Sequence, residues 1–160
     1  MKFTERMQDA INGQIMLEMW SANIYLSMSA YFASQGLDGF AHWYRQQYRE
    51  ELEHAEDMIQ YVIQRGGRVK IQAIPEVETE FDSALHIAEK AYAHECLVSE
   101  KIEELVRLAS EEKDMPSQDF FWKYIREQVE EEATASTLVD RVRLASDHAI
   151  IFLDKELSAR

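Results

Sequence analysis

REELEHAED, residues 49–57, decides how this chain is read. Most of it is what a solvated helix face looks like. Tyr44, Tyr48, Ala55, Met58 and Val62 fall at the three-and-four spacing of a buried stripe, and Glu51 falls on that same stripe. His54 lies one turn further on. A helix that puts a carboxylate and an imidazole on its core side needs a reason to do so.

The same interruption recurs along the chain. In a first periodic segment, from about Thr4 to Ala33, Ile11, Glu18, Tyr25 and Phe32 repeat every seven residues, and Glu18 breaks the apolar stripe. The second segment runs from about Asp38 to Arg65 and stops at Gly66-Gly67. In the third, from about Asp82 to Ser110, Ala84, Ala88, Ala91, Val98, Ile102, Val106 and Ala109 form a stripe that Glu95 breaks. In the fourth, from about Pro116 to Ser146, Phe121, Tyr124, Ala135, Leu138 and Val142 do so, and Gln128 and Glu131 break it. Thr4 and Asp82 or Ser83 suit helix caps, and Pro116 suits a helix start. A shorter fifth segment, SDHAIIFLDKELS, follows.

The connections carry topology. SQGLDG and EEKDMP are short, so the first and second helices are antiparallel neighbours, as are the third and fourth. GGRVKIQAIPEVETE is long; extended, it spans roughly 50 Å. A 28-residue helix is about 42 Å long. The crossover can therefore travel the whole bundle and start the third helix beside the start of the second. Val69, Ile71, Ile74 and Val77 predict that it packs along the surface. The expected fold is all-α: a four-helix bundle with one long crossover and a short terminal helix, in one domain spanning 1–160.

Glu18, Glu51, Glu95 and Glu131 each lie near the midpoint of their own helix. Midpoints meet in a bundle whichever way each helix runs. Four carboxylates and one imidazole then converge inside the core. Unpaired, they would repel one another and take protons. A bound pair of cations removes the problem, and this donor set suits iron, manganese or zinc. Glu51 and Glu131, with two oxygens each, are candidates to bridge.

The bulk numbers fit. The chain has 160 residues, 46% hydrophobic and 29% charged, with five glycines and two prolines, a helical composition. A net charge of −13 argues against nucleic acid and suits cations. No apolar run approaches a membrane span, and MKFTERMQDA lacks an apolar signal core. Cys96, the single cysteine, permits no internal disulfide; a reducing cytoplasm is the expected location.

LEMWSANIY around Glu18, REELEHAE, YAHECLVSEKI around Glu95, REQVEEEA and the terminal IIFLDKELS together resemble the ferritins, specifically the bacterial non-haem ferritins, over nearly the whole chain. The resemblance implies that Glu18, Glu51 and His54 hold a first iron. It implies that Glu51, Glu95 and Glu131 hold a second, with Glu51 bridging and Gln128 close by as a weak ligand or water holder. Glu50, Glu127, Glu130 and Glu131 match a third iron site, and Tyr25 matches a tyrosine beside the centre. Activity would be oxidation of Fe²⁺ by O₂ or H₂O₂, with ferric oxo-hydroxide stored in a homo-oligomeric shell of 24 subunits.

Gln128-x-x-Glu131 departs from the Glu-x-x-His of bacterioferritins, and Leu52 stands where their haem-ligating methionine follows the bridging glutamate, so no haem is expected. A single cysteine excludes a rubrerythrin-type four-cysteine site. Two other readings compete: a stand-alone di-iron oxidase or oxygenase acting on a small molecule, and a metal-free structural bundle with neutral core acids.

Overall fold

The computed structural model describes residues 1–160. Its helices are α1, Glu5–Ser34; α2, Asp38–Gln64; α3, Ala84–Glu111; α4, Met115–Leu144; and α5, Ile150–Leu157. Local chemistry sets most of the ends. Thr4 Oγ1 accepts from Met7 N at 3.1 Å and Ser83 Oγ from His86 N at 3.0 Å, each satisfying an orphan amide of a first turn. Asp114 caps α4 by accepting from Ser117 N at 3.2 Å, and Pro116 sits in the first turn, where no N–H is missed. Gly66 ends α2 at φ +73°, where an L side chain would be strained.

Two expectations need correction. The fifth helix is shorter than SDHAIIFLDKELS suggests, because Ala149 N turns back to Ser146 O (2.9 Å) and Ser146 Oγ (3.3 Å). That serine turn competes with helix geometry. In the crossover, Val69 packs against the core but Ile71 and Ile74 are 62% and 38% exposed.

Polar bonds, rather than those isoleucines, fasten the crossover along α1. Gln8 Oε1 accepts from Arg68 N at 2.8 Å, Asn12 exchanges bonds with Arg68 O (3.0 Å) and Lys70 N (2.8 Å), and Ser27 Oγ donates to Glu78 O at 2.5 Å. Gln8 and Ser27 lie about 28 Å apart along the helix. The crossover thus runs the length of the bundle, and α3 starts at the end where α2 starts.

α2 lacks a side-chain cap of its own. Asp154 of α5 supplies it, its Oδ1 accepting from Phe40 N at 2.8 Å. Gly39 permits the approach: a Cβ there would stand 1.7 Å from the Asp154 carbonyl oxygen.

The core falls into two apolar layers. One gathers Tyr25, Met28 and Phe32 of α1, Phe40 and Tyr44 of α2, Ile87 and Ala91 of α3, Leu138 and Val142 of α4, and Leu153 and Leu157 of α5. The other gathers Met7, Ile11 and Ile15, Met58 and Val62, Ile102 and Leu105, Phe121 and Tyr124. Between them each long helix has a gap in its apolar residues. The buried Glu18, Glu51, Glu95 and Gln128 occupy that gap.

Candidate metal centre

Midway along the bundle, α1 and α2 bring three potential ligands together. Oxygens of Glu18 and Glu51 and a nitrogen of His54 all lie within 4.8 Å of one another. His54 Nδ1 is 3.7 Å from Glu18 Oε2 and 3.5 Å from Glu51 Oε2. Those two carboxylate oxygens are buried and have no hydrogen-bond partner. A buried acceptor without a donor costs about 1–3 kcal/mol, more when charged. Two such oxygens aimed at one imidazole nitrogen are what a cation would satisfy.

Glu95 and Glu131, expected in the same set, stand outside this tight group. Glu95 of α3 is 1% exposed, accepting from the Tyr25 hydroxyl and from Gln128 Nε2 at 3.1 Å. Glu131 of α4 is only half-buried, and its Oε2 accepts from Gln47 Nε2 at 3.0 Å. Both still interact electrostatically with the centre.

Burial pushes Glu51 well above the ordinary carboxylate range, and the Glu18 charge adds to this. Burial pushes Glu18 up as well, but the nearby His54 imidazole and Glu51 carboxyl and the hydrogen bond from Gln14 outweigh it and hold Glu18 below its usual value. The two neighbours are thus pushed apart, Glu51 holding a proton more tightly than Glu18. Burial likewise raises Glu95 to about 7, against hydrogen bonds from Tyr25 and Gln128. For His54, burial disfavours the imidazolium, but the surrounding carboxyl groups of Glu127, Glu18 and Glu51 prevail and raise it.

The remaining expected residues lie around this centre. Glu127 Oε2 is 3.3 Å from His54 Nε2 on the more exposed side. Glu50 Oε1 is 2.9 Å from Arg160 Nη2. Glu130 is exposed and makes no side-chain hydrogen bond or ion pair. Tyr25 is 1% exposed, its hydroxyl on Glu95.

Sequence reasoning passed over three supporting residues. Gln14 Nε2 donates to Glu18 Oε1 at 2.8 Å. Gln47 reaches Glu131. His94 is buried with Nε2 2.7 Å from Ser21 Oγ, and burial lowers it to about 4. Gln14 and Gln47 carried a signal: each lies four residues before a core glutamate, Glu18 and Glu51, on the same helix face.

Two broad grooves, about 590 Å³ and 350 Å³, run between α1 and α3, and neither is lined by Glu18, Glu51, His54, Glu95 or Glu131. No helix is long and apolar enough to cross a membrane. Fold and site together define a four-helix bundle with a carboxylate–imidazole cluster between two apolar layers.

A family model described as Ferritin-like domain matches residues 8–145. The chain is 48% identical over 157 residues to a bacterial non-heme ferritin of Bacteroides fragilis, covering 98% of this chain and 99% of the relative. It is 36% identical over 156 residues to a probable bacterial non-heme ferritin-like protein of Haemophilus influenzae, covering 96% and 94%. Among solved structures, an open pore ferritin of the hyperthermophilic archaeon Archaeoglobus fulgidus superposes with TM-score 0.97 at 48% identity, covering 99% of each chain. The chain belongs to the ferritin family, on its bacterial non-haem side.

Proposed function

We propose that this chain is an iron-storage subunit that oxidises Fe²⁺ before storing it, and that residues 1–160 act as one unit. Two Fe²⁺ ions are the substrate. Glu18, Glu51 and His54 hold one. Glu51, Glu95 and Glu131 hold the other, with Glu51 shared and Gln128 beside it. The observation that carries this reading is the pair of buried, partnerless oxygens on Glu18 and Glu51 facing His54.

Each Fe²⁺ gives one electron to dioxygen, and two protons complete hydrogen peroxide; with peroxide as oxidant, the same two electrons and two protons yield two waters. Carboxylate oxygens are hard donors and favour Fe³⁺ over Fe²⁺. Burial raises Glu51 and Glu95, so both hold protons more tightly than ordinary carboxylates and give them up as iron binds. Tyr25 donates a hydrogen bond to Glu95 and so orients that carboxylate toward the second ion. Fe³⁺ then leaves toward Glu50, Glu127, Glu130 and Glu131, a third site, and hydrolyses to ferric oxo-hydroxide. Leu52 offers no sulfur to a haem iron.

Storage requires an enclosure, and the proposal includes a closed shell of 24 copies in the cytoplasm. The likeness to ferritins along the whole chain supports it, as do apolar side chains left uncovered on α5: Ile151 and Phe152 are 66% and 74% exposed. A small-molecule oxygenase would need a substrate cavity against the metals, and the two broad grooves lie elsewhere.

The test is iron retained per chain. Metal-free protein is loaded aerobically with excess Fe²⁺, passed through a sizing column, and assayed for iron and protein. Iron far above three per chain, co-eluting with a very large assembly, is expected. About two per chain on a small species would point instead to a di-iron enzyme.

A further inference from the structure

Arg160, three residues beyond α5, folds back onto the face of α2 that carries the outer carboxylates. Its Nη2 donates to Glu50 Oε1 at 2.9 Å and to Gln47 Oε1 at 2.5 Å. Its Nη1 donates to Trp43 O at 3.3 Å, and the guanidinium lies 4.7 Å from the centroid of the Trp43 ring. The Arg160 carbonyl oxygen is 2.7 Å from His42 Nε2. Five contacts from one residue to one stretch of α2 make this a seated side chain rather than a loose surface arginine.

The same contacts reach the metal centre. Gln47 is 2% exposed, and while its Oε1 accepts from Arg160 its Nε2 donates to Glu131 Oε2 at 3.0 Å. One cation therefore holds Glu50 directly and Glu131 through an amide. Both carboxylates belong to the third iron site proposed above, on which the following inference rests.

We propose that Arg160 is a displaceable cation that holds Glu50, and through Gln47 Glu131, until a metal ion in the third site takes Glu50 from it. Two cations compete for one carboxylate, so each weakens the other's hold by the same factor. A half-exposed guanidinium–carboxylate pair is a modest competitor, roughly fivefold in affinity. That suffices to order the filling: the ion at Glu18, Glu51 and His54 uses neither Glu50 nor Glu131, faces no such competitor and loads first. Arrival of the third ion then frees Arg160 and loosens the chain beyond α5.

Zinc titration of the metal-free assembled protein by calorimetry, with zinc as a redox-inert stand-in for Fe²⁺, tests this. The third equivalent should bind about fivefold tighter in Arg160→Gln than in the wild type and be unchanged in Arg160→Lys, which keeps the charge. A purely structural arginine would give equal or weaker third-site affinity in Arg160→Gln, and that result overturns the latch. Glu130→Ala separates the two levels. If it abolishes a third equivalent that the wild type takes, the third site stands and an unchanged Arg160→Gln affinity sinks the latch alone. If neither the wild type nor Arg160→Gln takes a third equivalent, the site and the latch fall together. Amide exchange of residues 157–160 gives a second readout: it should quicken at the third equivalent and not before.

Discussion

The apolar layers and the polar layer between them sit in the same four helices and follow opposite rules. At the Tyr44 end, Phe32 stacks on Phe40 at 4.7 Å and on Tyr44 at 5.3 Å, with each ring 1% exposed or less. Nothing polar there lacks a partner except the Tyr44 hydroxyl. In the middle layer, two buried carboxylate oxygens have no partner, and burial pushes Glu51 well above the ordinary carboxylate range. The ends hold the bundle together. The middle is destabilised by its own donors, and that cost is the binding capacity for a cation.

The sharpest break of this contrast is Glu51→Ala. It should slow initial Fe²⁺ oxidation roughly 100-fold or more, because a shared ligand is lost. Yet the metal-free protein should become no less stable, and Glu51→Gln should raise its stability by about 1–3 kcal/mol by removing a buried ionisable group. Stopped-flow absorbance and urea unfolding read the two effects. Substantial destabilisation by Glu51→Gln would mean that the middle layer is structural after all.

Phe32→Ala is the mirror experiment. It should cost about 3–5 kcal/mol in urea unfolding while leaving zinc stoichiometry intact. A lost metal equivalent would show that the layers are not separable.

pH sharpens the contrast. Glu95 is raised to about 7 from an ordinary 4.5, and Glu51 is also raised well above its ordinary value. A carboxyl raised on folding adds stability below its unfolded value and gives it up as pH rises through the folded one. Metal-free protein should therefore lose about 1–3 kcal/mol between pH 5 and pH 8 from these groups. Glu18, held below its usual value, acts oppositely, and its contribution disappears only in more acid solution. With zinc bound the slope should reverse, since the ligands must be deprotonated. Parallel slopes in urea unfolding with and without zinc would contradict this account.

The most local effect belongs to Gly39→Ala. The added Cβ meets the Asp154 carbonyl and must push α5 from the start of α2, at about 1–3 kcal/mol. Faster amide exchange confined to α5, with iron oxidation retained, is the expected signature.

Helix number, the long crossover and the five central candidates could be read because periodicity and caps are local. Glu18, Glu51, Glu95 and Glu131 stood out as charges on apolar stripes. Gln14 and Gln47 were missed because an amide on a stripe breaks no rule until its partner is known. Ile71 and Ile74 misled because an apolar side chain in a loop looks the same whether this chain covers it or not.

By itself, then, the sequence determined four amphipathic helices, their order of pairing, and carboxylates at one depth, since each depends on spacing within a helix. Tertiary structure alone decided that Glu18, Glu51 and His54 close to within 4.8 Å. It also decided that amides hold Glu95 and Glu131 aside. Gln47 meets Glu131 across 84 residues of chain, and Arg160 meets Glu50 across 110. Such partners are chosen by how the helices rotate and dock against one another, which no local spacing encodes.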